Sequence, residues 1–192
     1  MNRSMIIAAA VMLTAPLAGA AYAQMGASNE DLITQAVAAA PEELRAGATV
    51  INYDAKGDPV VLRQGNNGIV CNPNQQTTSY SVQCYAQVLK AQHDLQAKDR
   101  AEGKDAKAIG ADVQAAMASG KLPKPPVGTA MYTLSGKTKE SARGMWVVLV
   151  PGMTAEQSGL PTKPTAAGTP WLMRAGTPAA HIHIPQRPAN EG

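Results

Sequence analysis

The chain contains no phenylalanine and few other large apolar side chains. Its 192 residues include 33 leucine, isoleucine and valine residues, about 17% of the total, and aromatic residues make up 4%. This composition approaches that of disordered proteins, but disorder also requires a high net charge, and the formal net charge here is only +3. We therefore expect a folded domain with a small, alanine-rich core and long loops.

A strong charge of one sign is also missing, as are long periodic patterns. The near balance of charge gives no basic field for nucleic acid, so no nucleic-acid partner is expected. The composition argues against a coiled coil, a collagen-like fibre and a multispan membrane protein. Beyond the first 23 residues, no segment is apolar over the length of a bilayer, so we expect no membrane anchor after their removal.

Motifs of the common enzyme classes are absent or incomplete. Gly136–Thr138 resembles the end of a phosphate-binding loop, but Met131 occupies the position of the required first glycine. Gln157–Gly159 lacks the first glycine of a nucleophile elbow. The sequence therefore predicts no cofactor and assigns no catalytic residue.

Residues 1–23 have the pattern of a secretory signal peptide. Arg3 is their only charged residue, an apolar run over residues 5–13 follows, and residues 21–23 read Ala-Tyr-Ala, a small-residue cleavage motif. The alternative is an uncleaved membrane anchor, but the apolar run is shorter than the ~20 residues of a membrane helix.

Cys71 and Cys84 are the only two cysteines. An even count in an exported chain predicts a structural disulfide, which would stabilise the fold by about 3 kcal/mol in the chain-entropy model. The alternatives are two buried free thiols or a redox pair, although a redox pair usually has Cys-x-x-Cys spacing.

Hydrophobic periodicity and turn residues predict the secondary structure. The predicted helices are Ser28–Ala40, Pro41–Ala46, Ser81–Ala101 and Asp105–Ser119. The predicted strands are Thr49–Tyr53, Pro59–Arg63, Ile69–Cys71, Thr129–Leu134, Met145–Val150, Trp171–Met173 and Ala180–Ile184. We interpret the first three strands as a meander of two hairpins and Met145–Val150 as a central strand buried on both faces. This order predicts an α+β fold with a mainly antiparallel sheet, an N-terminal meander, two central helices and C-terminal strands.

His181 and His183 are the main candidate functional residues. On a strand, alternate side chains point to opposite faces, so both imidazoles would share one face while Ile182 and Ile184 enter the core. Two imidazoles at this spacing could chelate a transition metal or serve in acid–base chemistry. A metal site would need a third ligand, and the candidates are His93, Glu140 and Glu156. We favour the alternative that the pair is a polar strand face without metal.

Two further groups of residues have both a functional and a structural interpretation. Five of the aromatic residues could form a stacking platform for a sugar or another ring, but we favour a role in the core. They are Tyr53, Tyr85, Tyr132, Trp146 and Trp171. The cluster of Lys137, Lys139 and Arg143 could contact an anion, but a solvated loop is the favoured interpretation.

Several short segments resemble those of a group of exported bacterial proteins that have no established activity. They are Leu62–Gly65, Asn67-Gly68, Met145–Val147, Pro170–Met173, Gly176–Pro178 and Ala180–Ile182. The resemblance begins at Thr49 and implies export. It implies no activity, partner or functional residue.

Three hypotheses for function follow from the sequence. The favoured one is a non-catalytic periplasmic binding or interaction module that presents the loop 152–168. The second is a metal-dependent or acid–base enzyme centred on His181 and His183. The third is a structural protein of the cell envelope.

The signal-peptide pattern predicts cleavage between Ala23 and Gln24. Cleavage there leaves residues 24–192 as a single domain, exported by the Sec route to the periplasm or the medium. Intact mass spectrometry of the exported protein should give a chain that begins at Gln24. A mature form that still carries residues 5–13 would contradict export by this route.

Overall fold

The computed structural model of the protein describes residues 27–166 and 168–186. The predicted signal peptide and its cleavage site, Ala23 and Gln24, lie outside these residues. None of the helices in the described ranges combines the length and apolarity that a bilayer crossing needs.

The described chain folds around one eight-stranded sheet with the strand order β2-β1-β3-β4-β5-β6-β8-β7. The strands are β1 (Thr49–Tyr53), β2 (Pro59–Arg63), β3 (Ile69–Asn72), β4 (Tyr80–Ala86), β5 (Ala130–Gly136), β6 (Arg143–Leu149), β7 (Trp171–Met173) and β8 (His181–Pro185). The helices are α1 (Asn29–Val37), α2 (Glu42–Arg45), α3 (Lys90–Ala101), α4 (Ala106–Ala118) and α5 (Ala155–Ser158), and a 3-10 turn (Gln87–Leu89) precedes α3. All neighbouring strands are antiparallel except β1 and β3. The predicted α+β class, with its mainly antiparallel sheet and two central helices, is confirmed.

Helices cover the two faces of the sheet. Val50, Cys71 and Cys84 pack with Ala36 of α1, and we call this side the α1 face. Their chain neighbours Ile51, Val70 and Tyr85 pack with Ala97 of α3, and we call this side the α3 face. Because successive strand residues alternate between faces, these three central strands are buried on both sides. A third apolar cluster lies at the far end of the sheet, where Leu172 packs with Val150 and Ala180.

The disulfide between Cys71 and Cys84 is present, with Cα atoms 4.0 Å apart. The two cysteines are direct partners in the register of β3 and β4, so the bond joins adjacent strands. The predicted helix Ser81–Ala101 is therefore wrong over its first part, because residues 80–86 form a strand. Tyr80, Val82, Cys84 and Tyr85 are residue types that favour a strand buried on both faces. Pairing of this segment with β3 outweighs the helical spacing of its apolar side chains.

The predicted meander is also wrong in its second connection. β1 and β2 form the expected hairpin, but β3 pairs in parallel with the other side of β1. The loop 64–68 therefore crosses below the start of β1, where Gly65 N donates to Thr49 Oγ1 at 3.0 Å and Asn66 N donates to Gly47 O at 2.9 Å. The loop can pass this close to the backbone of residues 47–49 because Gly65 has no side chain.

The first helix begins where the sequence predicts. Ser28 caps it in a reciprocal capping box with Asp31, whose N donates to Ser28 Oγ at 3.1 Å. The helix buries Ala36 completely, and its backbone comes close to the sheet, with Ala36 O 3.4 Å from Cys84 Sγ. Small side chains thus allow a close approach that larger ones would prevent.

The C-terminal strands agree with the sequence in position but not fully in burial. On β6, Val147 is buried on the α3 face, whereas Trp146 on the α1 face is 38% exposed. The prediction that this strand is buried on both faces is therefore wrong at Trp146, because only the α3 face is buried there. The short helix α5 follows β6, and Thr154 caps it.

Gly65→Ala and Gly110→Ala form a matched pair that tests the crossing loop. A Cβ at residue 65 would overlap the Gly47 carbonyl oxygen and the Ala48 backbone, whereas a Cβ at residue 110 in α4 meets nothing within 4 Å. We expect Gly65→Ala to lower the free energy of unfolding by several kcal/mol if the loop cannot shift, about 1–3 kcal/mol if it can. Gly110→Ala should raise it by about 0.5–1 kcal/mol. Urea unfolding measures both, and equal stability of the two variants would contradict the crossing.

Candidate functional site

The two predicted histidines lie side by side at the outer end of the sheet. The register of β8 places His183 opposite Val147 on one side and Trp171 on the other, and His181 opposite Leu149 and Met173. Their ring centroids are 4.8 Å apart, so both imidazoles occupy the α3 face as the period of two requires. Ile182 lies on the other face and packs against the third cluster.

Each imidazole has a defined neighbour. His181 Nδ1 lies 2.8 Å from Ala179 O, and because a carbonyl only accepts hydrogen bonds, Nδ1 is the nitrogen that donates here. The ring centroid of His183 is 4.5 Å from that of Trp171. Partial burial and the neighbouring His181 lower the pKa of His183 below its ordinary value, which favours the neutral ring.

None of the candidate third ligands joins this pair. Across the described parts of the chain, no three histidine, cysteine or carboxylate side chains are grouped so that they could hold a metal ion. His93 stacks on Tyr85, which lies three strands from His183, or about 14 Å at ordinary strand spacing. Glu140 lies in the exposed β5–β6 loop, and Glu156 lies in the first turn of α5.

His93 is instead part of a buried cluster between α3 and the sheet. Its ring lies parallel to that of Tyr85, with centroids 3.6 Å apart, and only 2% of the residue is exposed. Tyr53 Oη donates to Asp94 Oδ1 at 3.0 Å and lies 3.5 Å from Tyr85 Oη. Lys90 Nζ pairs with Asp94 Oδ2 at 2.6 Å, one turn earlier on the helix. The cluster therefore ties α3 to β1 and β4 through polar side chains.

Burial sets the protonation states in this cluster. It lowers the pKa of His93 to about 3, with a smaller contribution from the charge of Arg100. It also raises the pKa of Tyr85 to about 12 and raises that of Tyr53. At neutral pH the imidazole and both phenols are therefore uncharged.

A polar cleft opens beside this cluster, with a volume of about 520 Å³. Its walls are the turn between β1 and β2, the segment that follows β3, and the last turn of α3. Gly57 in the turn approaches α3 so closely that a Cβ would lie 2.6 Å from Ala97 O. The polar side chains that line the cleft are mainly amides and hydroxyls: Asn52, Tyr53, Asn72, Asn74, Gln75, Gln76, Ser81 and Gln83, with Asp54 and Arg100 as the charged members.

Asn72 is the most buried amide of the cleft. It is 4% exposed, and its Nδ2 donates to Ile51 O at 2.6 Å. Its Oδ1 is buried and accepts no hydrogen bond from the described residues. A buried amide oxygen is normally satisfied, so the Oδ1 of this cleft-lining residue is an exception.

Hydrogen bonds between loop residues shape the cleft. Asn74 Oδ1 accepts from the backbone N of Gln76 and of Ser81, and Gln75 Nε2 donates to Asn52 Oδ1 at 3.0 Å. Asp54 Oδ1 is occupied by the backbone N of Lys56 and Asp58. A polar loop over residues 73–79 connects β3 to β4. That loop lines a cleft because β3 and β1 run parallel, which the sequence pattern does not predict.

A second groove of about 350 Å³ lies on the α1 face, between the end of α1 and β6. Arg45, Arg143, Trp146 and Gln186 are among its lining residues. Arg45 Nε donates to Ala40 O at 2.9 Å, so this guanidinium supports the local backbone. The groove is smaller than the cleft and is lined in good part by alanine and glycine.

The aromatic residues do not form one platform. Tyr53 and Tyr85 are buried on the α3 face, as the core interpretation expects, while Tyr132 and Trp146 pack edge to face on the α1 face. Trp171 lies beside His183. The cluster of Lys137, Lys139 and Arg143 is exposed, and Arg143 donates to the carbonyls of Ser141 and Ala142.

His93→Phe tests the cost of keeping the buried imidazole neutral. The pKa is about 3 in the folded chain against 6.5 for an ordinary histidine, so between these values the unfolded chain binds a proton that the folded chain does not. The free energy of unfolding should therefore fall as pH falls from 6.5, by up to about 1.4 kcal/mol per pH unit. In His93→Phe, which retains a ring over Tyr85, this contribution should be absent.

Urea unfolding at pH 7 and pH 4.5 measures this difference. Acidic residues also contribute to acid destabilisation, so the quantity of interest is the change between wild type and variant. His181→Gln, a substitution at the far end of the sheet, should retain the part that depends on His93. The same pH dependence in wild type and His93→Phe would show that the imidazole is not held neutral by burial.

Comparison of the chain with protein-family models, with curated proteins and with solved structures finds no match. The functions of the cleft and of the histidine pair are therefore inferred from their own geometry and chemistry.

Proposed function

We propose that the protein is an exported, non-catalytic binding module whose amide-lined cleft holds a small, neutral, hydroxyl-rich ligand of the saccharide type. The observation that carries the proposal is the amide-rich lining of a cleft of about 520 Å³, to which Asn72 belongs with an Oδ1 that has no hydrogen-bond partner among the described residues. A volume between about 300 and 1,000 Å³ is typical of small-molecule sites.

The chemistry of the lining supports a neutral ligand. Each amide side chain offers donors and an acceptor, as each hydroxyl of a saccharide does, so the two sets can pair fully. The two charged lining residues are one acid and one base, and Asp54 is already engaged by its own turn. A cationic ligand would therefore find no free carboxylate in the lining, and Arg100 alone could face an anion.

The neighbouring cluster supports binding without catalysis. Tyr53, at the junction of cleft and cluster, donates to Asp94, and the cause that most raises its pKa is burial. A phenol held protonated at neutral pH can donate or accept a hydrogen bond but is a poor base or nucleophile. The cluster would therefore hold α3 in place as one wall of the cleft.

Export is supported by two features that agree. Residues 1–23 have the signal-peptide pattern, and the two cysteines form a disulfide, a bond that persists in oxidising compartments. A periplasmic or secreted binding module is consistent with both.

Binding can be tested with a panel of neutral mono- and disaccharides, with glucose 6-phosphate as a charged comparison. Calorimetry or NMR titration of the purified protein should find a neutral saccharide that binds with a Kd between about 1 μM and 1 mM. Gln83→Ala, opposite Asn72 in the register of β3 and β4, should weaken that binding about fivefold, the value of one neutral hydrogen bond.

The matched control is Gln114→Ala, on the exposed side of α4 and outside the cleft. It should leave the affinity unchanged. If no saccharide in the panel binds, or if Gln83→Ala binds as tightly as wild type, the proposed ligand class is wrong.

A further inference from the structure

The outer end of the α3 face brings several donor side chains together, and no carboxylate among the described residues joins them. The antiparallel pair of β7 and β8 places Met173 directly opposite His181 and Trp171 directly opposite His183. Direct cross-strand partners have Cβ atoms about 4.5–5.5 Å apart on the same face. Two imidazoles, a thioether and an indole therefore face one small area of the sheet.

The geometry of the two rings leaves a donor atom free. Because Nδ1 of His181 is engaged by Ala179 O, Nε2 is the ring nitrogen available to a ligand. Metal-binding histidines are held in the same way, with the second ring nitrogen donating to a carbonyl or carboxylate. The ring centroids of His183 and His181 are 4.8 Å apart. This distance is compatible with two rings that turn toward a shared ion.

The connection between β7 and β8 holds Met173 in this register. Arg174 follows it with a φ of 54°, and Thr177 N and Oγ1 both donate to Arg174 O, at 3.2 and 2.8 Å. Gly176 N donates to Met153 O at 2.7 Å, which anchors the turn to the loop that follows β6. The thioether and the imidazoles are thus carried by a fixed hairpin and not by a free loop.

We propose that this end of the sheet binds Cu(I), with the donors His181, His183 and Met173 and with the indole of Trp171 against the ion. Thioether and imidazole ligands select a soft cation, whereas Zn(II) in structural sites takes four nitrogen, sulfur or oxygen ligands. The described residues offer no carboxylate or free thiolate to complete such a set here. The electron-rich face of an indole adds attraction for a cation.

The position of the site separates it from the cleft. All four side chains are half-buried, so an ion can reach them from solvent. The cleft is built from β1, β3, β4 and α3, whereas the proposed site uses only β7 and β8. The metal site therefore does not depend on the proposed saccharide ligand, and either can fail without the other.

Ag(I), a soft monovalent ion that is stable in air, is the first probe, in a buffer free of halide and thiol. Trp146→Phe removes the tryptophan on the opposite face and leaves Trp171 as the only indole of the described chain. Titration with Ag(I) should change the Trp171 fluorescence and saturate at one equivalent. Calorimetry should give the same stoichiometry, and Cu(I) added with ascorbate under argon should compete with Ag(I).

Two substitutions of similar volume test the donors. Met173→Leu and His183→Gln should each weaken Ag(I) binding at least about tenfold. The matched control is Met153→Leu, which removes a thioether from the cluster on the other face and should leave binding unchanged. Thermal unfolding monitored by circular dichroism checks that each variant is folded. If His183→Gln is not, His181→Gln with Met173→Leu carries the comparison.

Two results would overturn the proposal. One is Ag(I) binding that Met173→Leu leaves as tight as in the parent. The other is stoichiometric Zn(II) binding that is lost in His183→Gln but unaffected by Met173→Leu, since this would show a two-histidine site for a borderline metal without the thioether. Failure to bind any of the three ions would overturn it as well.

Discussion

The structure depends on the pairing of β3 with β4, which the Cys71–Cys84 disulfide fixes at the centre of the sheet. Both sulfurs are fully buried on the α1 face, and the adjacent residues Val70 and Tyr85 are fully buried on the α3 face. A bond that closes a loop of this length stabilises the fold by about 3 kcal/mol in the chain-entropy model. It is a large contribution for a chain with so few large apolar residues.

The protein compensates for its small core by packing backbone segments close together. Ala36 packs α1 against the disulfide, Gly65 lets a loop cross beneath β1, and Gly57 lets a turn touch the end of α3. Each contact replaces side-chain volume with backbone proximity, so dispersion contacts are kept although few large side chains are available. The buried Tyr53–Tyr85–His93–Asp94 cluster fills the remaining space with polar groups that are held uncharged, or paired in the case of Asp94.

The two candidate sites lie at opposite ends of the α3 face, outside this tightly packed centre. The cleft forms where the chain crosses from β3 to β4, and the histidine pair lies on the short terminal hairpin of β7 and β8. In both sites the side chains lie on or next to strands, and most of them are partly buried or exposed. Their polar groups are therefore available to ligands. The packed strands between them explain why His93 takes part in the first region and cannot reach the second.

The sequence by itself determined the local features of this protein. Ser28 and Asp31 cap α1, the period of two places His181 and His183 on one face, and the even cysteine count indicates the disulfide, because each of these follows from chemistry within a few residues or from composition. Only the tertiary structure decided that residues 80–86 form a strand and that β3 runs parallel to β1, since both depend on pairing with distant segments. The cleft around Asn72 and the meeting of Met173 with His181 follow from that pairing. Their residues are far apart along the chain or carry no motif, so no local pattern predicts them.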